Sequence, residues 1–195
     1  VISLALGIGA NTAIFTLLNE ILLRALPVDD PQQLVLFTSR GSHYGNNRGG
    51  NAISYPMYKD YRDRNQVFSD VFCKFGTAMS MSYEGQTERV SGELISGNYF
   101  SALGIRAAAG RVITNEDDKT LGGHPVAVLS YDYWKTRFAG NPSIIGRTIK
   151  LNSFPMTVIG VSQEGFYGVE AGISPQVRVP VAMKVQMTPG WDDMA

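Results

Sequence analysis

A single cysteine, Cys73, stands among 195 residues, so no disulfide can close within the chain. Charge of either sign is not in excess. Lys+Arg and Asp+Glu are both 17, which leaves no electrostatic footprint for a nucleic acid. No Gly-x-x-x-x-Gly-Lys-Ser/Thr occurs, so no nucleotide is held in the Walker manner. No Gly-x-Ser-x-Gly elbow marks a hydrolase, and no repeat or low-complexity run appears. Asn115-Glu116-Asp117-Asp118 lacks the order of acids around a central glycine that calcium loops need, and is read as a solvated turn or helix start. His43 has no His, Cys or carboxylate near it at ligand spacing. These absences leave no catalytic, cofactor-binding or metal-ligating residue to single out. What is present suffices for a core, at 44% hydrophobic and 17% charged residues, and disorder is not expected.

Charge is also missing locally. Val1 to Asn19 holds no charged side chain, and Glu20 and Arg24 are the first two. Spanning hydrocarbon takes about 20 mostly apolar residues. Three readings compete: the end of a transmembrane helix, the h-region of a secretory signal, or a buried helix of a soluble domain. No basic n-region supports the signal. The small residues Gly7, Gly9, Ala10 and Ala13 suit close helix approach in a bilayer, which favours the first reading. A helical apolar stripe continues through Ile14, Leu17, Leu18, Ile21, Leu22 and Leu26 until Pro27 stops it. The chain opens on Val rather than Met, so a fragment or a processed product is expected.

Turn residues then punctuate a run of short elements. Asp29-Asp30-Pro31 is a turn, Leu34 to Thr38 a strand by its branched and aromatic content, and Arg40 to Asn51 a polar loop. Ser54 caps a helix on which Tyr55, Tyr58 and Tyr61 fall near one face, read as a packing stripe rather than a stacking platform. Cys73 is expected to be a buried thiol sharing a strand face with Val71 and Phe75. Alternation from Phe68 to Val90 sends Met79, Met81 and Tyr83 one way and Ala78, Ser80 and Ser82 the other. A turn at Glu84-Gly85-Gln86 returns the chain along Thr87 to Ile95. Asn98 to Leu103 reads as a short helix stopped by Gly104, and Val126 to Leu129 as a buried strand. Ser130 caps a helix that must bury Trp134 and Phe138, four residues apart. Thr148 to Leu151 and Met156 to Ile159 form a hairpin around Asn152-Ser153-Phe154-Pro155, and Val177 to Val181 is a last strand.

The order of certain residues resembles one family. Ala5 to Phe15 is similar to the end of the first membrane helix in MacB-like and FtsX-like ABC transporter permeases, most of all the acidobacterial-type orphan permeases. Leu22-Leu23-Arg24-Ala25-Leu26-Pro27, Ser54-Tyr55-Pro56 and the stretch from Ser96-Gly97-Asn98-Tyr99-Phe100 to Val158-Ile159-Gly160-Val161 follow the periplasmic core domain in the same order. Ala107 departs from the pattern, standing where the family commonly has proline.

The resemblance implies an α+β protein in two parts. Residues 1–27 would end the first transmembrane helix and form a stalk, and residues 28–195 would be a two-lobed mixed α+β extracytoplasmic domain. One lobe would span about 31–90 plus 176–183, the other about 91–162. It further implies a place in the inner membrane, with residues after about 27 on the periplasmic side. Expected partners are the lipid bilayer, a second permease chain in a homodimer, an ABC ATPase subunit and a periplasmic adaptor, with no nucleic acid and no cofactor. The implied work is to couple ATP-driven motion of membrane helices to substrate export or partner engagement, without catalysis. Two rival readings stand beside it. One is a membrane-anchored receptor or binding module; the other is an anchored hydrolase using Ser54, Ser96 or Ser130 with His43 or His124 and an Asp of the 116–118 cluster.

Overall fold

The computed structural model describes residues 26–37, 53–170 and 172–188, together with Gly9, Asn11, Thr12 and Phe15. The alternation over the first hairpin folds as its pattern dictates. β1 (Lys74–Tyr83) pairs antiparallel with β2 (Gln86–Ile95) along its whole length. A two-residue turn joins them, with both φ angles positive at Glu84 and Gly85, the twist that hairpins favour. Met79 and Met81 are buried and Ser80 and Ser82 are not, so the methionines fill core space as expected.

Five more strands complete one mixed sheet. They are β3 (Ala107–Gly110), β4 (Val126–Leu129), β5 (Thr148–Leu151), β6 (Phe154–Ser162) and β7 (Val177–Pro180). The order is β3-β6-β4-β7-β2-β1-β5, and β5 also pairs with β6. The ladder therefore runs from β6 through β4, β7, β2, β1 and β5 back to β6, and the sheet closes on itself with β3 outside the ring. Closure removes all but a few exposed edges, the usual hazard of antiparallel sheets. β7, the last strand among the described residues, sits in the middle, parallel to β2 and antiparallel to β4. The lobe boundary expected between residues 90 and 91 falls inside β2, and strands from both sides of it share this sheet.

Strand periodicity sorts side chains into two apolar clusters. Met81, Leu94, Leu129, Leu151, Val158 and Val179 point into the closed sheet. Ile95 and Val128 point outward and are covered by Tyr99, Phe100, Leu103 and Phe166. Burying one such large side chain stabilises the fold by about 1.5–3 kcal/mol. Helices are short: α1 (Tyr55–Arg64), α2 (Tyr99–Ala102), α3 (Tyr131–Phe138) and α4 (Lys184–Met187). Ser54 Oγ accepts the Met57 N–H and Ser130 Oγ accepts the Tyr133 N–H, so both expected caps are made.

Several expectations need correction. Residues 34–37 form no strand, with Val35 and Leu36 exposed, and Phe37 packs its ring on Tyr61 and Phe68 at 5.5 and 5.2 Å. Thr38 and the loop 40–51 with His43 lie outside the described residues. Phe75 is 39% exposed and does not share the burial of Val71. The turn of the second hairpin is only Asn152-Ser153, and Phe154 and Pro155 already belong to β6. Asn152 makes that tight turn affordable: its side chain accepts from Ser80 N–H at 2.8 Å and donates to Met187 O at 2.6 Å. Trp134 and Phe138 are half-buried against the core, and Tyr133 is the fully enclosed ring of α3. The last strand stops at Pro180, and Val181 begins a 3-10 turn, Val181–Met183.

The expected membrane and stalk helix over 1–27 falls almost wholly outside the described residues, of which Gly9, Asn11, Thr12 and Phe15 are helical. Among the described residues, no helix is long and apolar enough to cross a membrane.

Candidate functional site

The chain reaches the sheet through residues 26–34, and this lead-in is fastened to α2. The Asp29 N–H donates to Leu103 O at 3.1 Å. Its carboxylate lies against Gly104, which has φ +69°; a Cβ built there would fall 1.9 Å from Asp29 Oδ2. Only glycine combines that backbone with that contact. Val28 and Leu34 pack against the outward cluster, and a 3-10 turn over Pro31–Gln33 bridges them. The Asp29-Asp30-Pro31 turn read from sequence is thus a docking point as well as a bend.

Beneath α2 lies the least expected group of the molecule. Arg178 on β7 is fully buried and is the direct cross-strand neighbour of Glu93 on β2. Its Nε donates to Glu93 Oε2 at 3.0 Å, while Lys74 Nζ sits 3.6 Å from Glu93 Oε1. The Phe166 ring lies over the guanidinium at 4.8 Å, a cation–π contact in a site with little water to weaken it. Burial, with Glu93 beside it, pushes the Tyr99 hydroxyl above its usual range. By sequence Arg178 is a member of the strand Val177 to Val181 and nothing more. The available signal was Val177-Arg178-Val179, a lone charge flanked by apolar residues in a continuous strand.

A second polar clip ties three parts of the chain together. Arg111 donates two hydrogen bonds to Asp117, at 2.6 and 2.8 Å, and Asp117 closes a capping box with Thr114. Burial works against the Asp117 carboxylate, but Arg111 and the Thr114 N–H outweigh it and hold its pKa below 3.8. Asp118 accepts from Gly97 N–H at 3.0 Å and Ala182 N–H at 2.9 Å, and burial raises its pKa. The expected solvated turn at 115–118 is therefore a staple between the start of α2 and the end of β7. Spacing alone did not reveal it, because its partners Gly97 and Ala182 are remote in sequence.

Two surface concavities flank the sheet. One, about 390 Å³, lies at the end of α1 between Phe37, Tyr61, Val67 and Phe68. The other, about 440 Å³, is polar and lies between the first hairpin and α3, where Arg137 Nε meets Glu88 Oε1 at 2.6 Å. Tyr58 is buried and Tyr55 packs on the core, but Tyr61 is 45% exposed and lines the first groove. The tyrosine stripe thus packs at two of its three positions.

Among the described residues of the hydrolase alternative, which leave out His43, no nucleophile–base pair is made. Ser54 and Ser130 spend their hydroxyls on caps, Ser96 Oγ accepts Cys73 N–H at 3.0 Å, and Asp117 and Asp118 are engaged as described. What the geometry offers is a closed sheet, a fastened lead-in and two surface grooves.

Comparison with known proteins agrees with that character. The chain is 39% identical over 69 residues to the macrolide export ATP-binding/permease protein MacB of Campylobacter jejuni, in two strains. That match covers 34% of the chain and 10% of the relative, so the chain spans a small part of the length of these relatives. Among solved structures, the periplasmic region of MacB from Actinobacillus actinomycetemcomitans shares the fold with a TM-score of 0.59 at 20% identity, over 79% of this chain and 67% of that one. The extracellular domain of the noncanonic ABC-type transporter YknZ from Gram-positive bacteria gives 0.55 at 19% identity, over 69% and 65%. The family model described as MacB-like periplasmic core domain matches residues 1–194, and the chain belongs to that family.

Proposed function

We propose that this chain is the extracytoplasmic part of an ABC transporter permease subunit, relaying motion of membrane helices to an exported substrate or to a partner protein. In this reading residues 1–27 cross the inner membrane and form the stalk, and the chain after about residue 27 stands on the periplasmic side. The lobes over 31–90 plus 176–183 and over 91–162 share one closed sheet, and so move as one body. Two permease chains pair, an ABC ATPase subunit supplies the stroke, and a periplasmic adaptor is gripped at the far side. The domain makes and breaks no covalent bond.

The observation that carries this reading is the docking of the lead-in: Asp29 bonded to Leu103 and seated on Gly104. Displacement of residue 26 would be handed directly to α2 and from there to the aromatic cluster over the sheet. Asp29→Ala removes the carboxylate seat without straining the backbone, and Gly104→Ala forces the lead-in off. In vesicles holding the full transporter with its ATPase, both variants should hydrolyse ATP while exporting less substrate per ATP. Melting of each purified chain separates loss of coupling from loss of fold. Equal export per ATP in wild type and both variants would end the relay reading.

A further inference from the structure

The connection from β6 to β7 carries no helix or strand, and its first arm, residues 163–170, lies over the buried pair. Phe166 plugs the site and touches Tyr99 and Phe100 at ring distances of 6.2 and 6.1 Å. Gly168, at φ +120°, brings the backbone so near that a Cβ would sit 3.3 Å from Arg178 Nη2. Glu170 Oε2 reaches Lys74 Nζ at 2.6 Å, yet its side chain is 53% exposed. Among the described residues, both Arg178 Nη groups lie buried without a hydrogen-bond acceptor. Buried groups of that kind normally have partners, so donors are concentrated here beyond what the chain itself uses.

Charge completes the argument. Lys74 and Arg178 balance Glu93 and Glu170, so the closed cluster is neutral. Withdrawing Glu170 leaves one cation in excess beside the unspent guanidinium N–H groups, a fork whose geometry matches a carboxylate. The arm has the means to lift. Gly165 near its start and Gly172 just past its end have φ of +78° and +79°, and open space surrounds the position of a Cβ at each.

We propose that Lys74 and Arg178 form a carboxylate-binding site that the arm 163–170 occupies from within the chain. Glu170 is the resident ligand on Lys74 and Phe166 covers Arg178, so a lifted arm lets an incoming carboxylate reach both cations. Burial of Phe166 keeps the closed state dominant, so the site is conditional on the arm.

The test uses the purified full chain, with glutarate and tetraglutamate as probes. Arg178→Met would leave the core altered, so the decisive variants are the more exposed Glu170→Gln and Lys74→Met. Binding is read from the 15N resonances of the Arg178 guanidinium, and lifting from amide exchange of residues 163–170. Releasing a part-exposed ion pair should tighten probe binding by about threefold or more in Glu170→Gln and speed exchange of the arm. Lys74→Met should bind neither probe. Preference for tetraglutamate identifies an acidic peptide as the ligand, and equal affinity identifies a small dicarboxylate. Unchanged binding and exchange in Glu170→Gln would overturn the proposal, as would undiminished binding in Lys74→Met.

Discussion

Removing Glu93 should damage the protein more than removing Arg178, although the two are partners. Arg178 has one carboxylate within bonding distance, whereas Glu93 has two cations, Arg178 at 3.0 Å and Lys74 at 3.6 Å. Glu93→Gln therefore strands a fully buried guanidinium with no countercharge. Breaking a buried pair in that way costs about 3–5 kcal/mol. Arg178→Met leaves Glu93 still facing Lys74, whose side chain is 25% exposed and partly hydrated. Its cost is then closer to that of an under-satisfied buried polar group, about 1–3 kcal/mol. The pair replaced together, Glu93→Met with Arg178→Met, removes both charges and keeps apolar volume, and should come within about 1–2 kcal/mol of wild type. Urea unfolding of the four proteins gives these values directly, with equal slopes confirming that the same surface unfolds in each. Domains of this size have about 5–15 kcal/mol in total, so the Glu93 variant should be visibly marginal. Equal costs for the two single changes, with the double change equal to their sum, would refute the assignment of Lys74 as a second countercharge.

Three further outcomes are expected. Asp117 has its pKa held below 3.8 in the folded chain, so its contribution is full above that value and lost as pH falls through the folded pKa. The stability gap between wild type and Asp117→Ala, read by urea unfolding, should close in that acid range and stay constant near neutrality. Cys73 is half-buried and burial pushes its thiol up to about 12, so at pH 8 it should react with a disulfide reagent well below the rate of the unfolded chain. Rapid labelling of the native chain would contradict its burial. At Gly92 a Cβ would meet the Met79 side chain at 2.5–2.9 Å, so Gly92→Ala should cost about 1–3 kcal/mol in thermal unfolding, and Met79→Ala in the same chain should recover part of it.

Local chemistry was what the sequence displayed most clearly. Ser54, Ser130 and Gly104 each act on neighbours within a few residues, and each works as its type and position imply. The first hairpin was equally plain, because period-two alternation and a Glu-Gly turn coincide. Long-range pairing was not. Nothing in Leu34-Val35-Leu36-Phe37 reveals that no ladder awaits it, since strand propensity describes a pleated surface and says nothing of a partner. Asp118 and Glu93 look like ordinary solvated charges, and only the fold brings Gly97, Ala182, Arg178 and Lys74 to them. The candidate site lay in that second category. Its residues were all visible, and their meeting was not.

The position of β7 bears on how the protein comes to be folded. β7, which follows the other six in sequence, fills the centre of the ring between β2 and β4, so neither flank can finish its ladder until residue 180 has arrived. A hairpin of β1 and β2 can form at once, and so can β5 with β6, but each keeps an unsatisfied edge while it waits. Pairings this distant along the chain are slow to find, and exposed edges invite the wrong partner meanwhile. The folding domain is thus at its most vulnerable just before residue 180 joins, when β1 to β6 exist and the strand that links them is still missing.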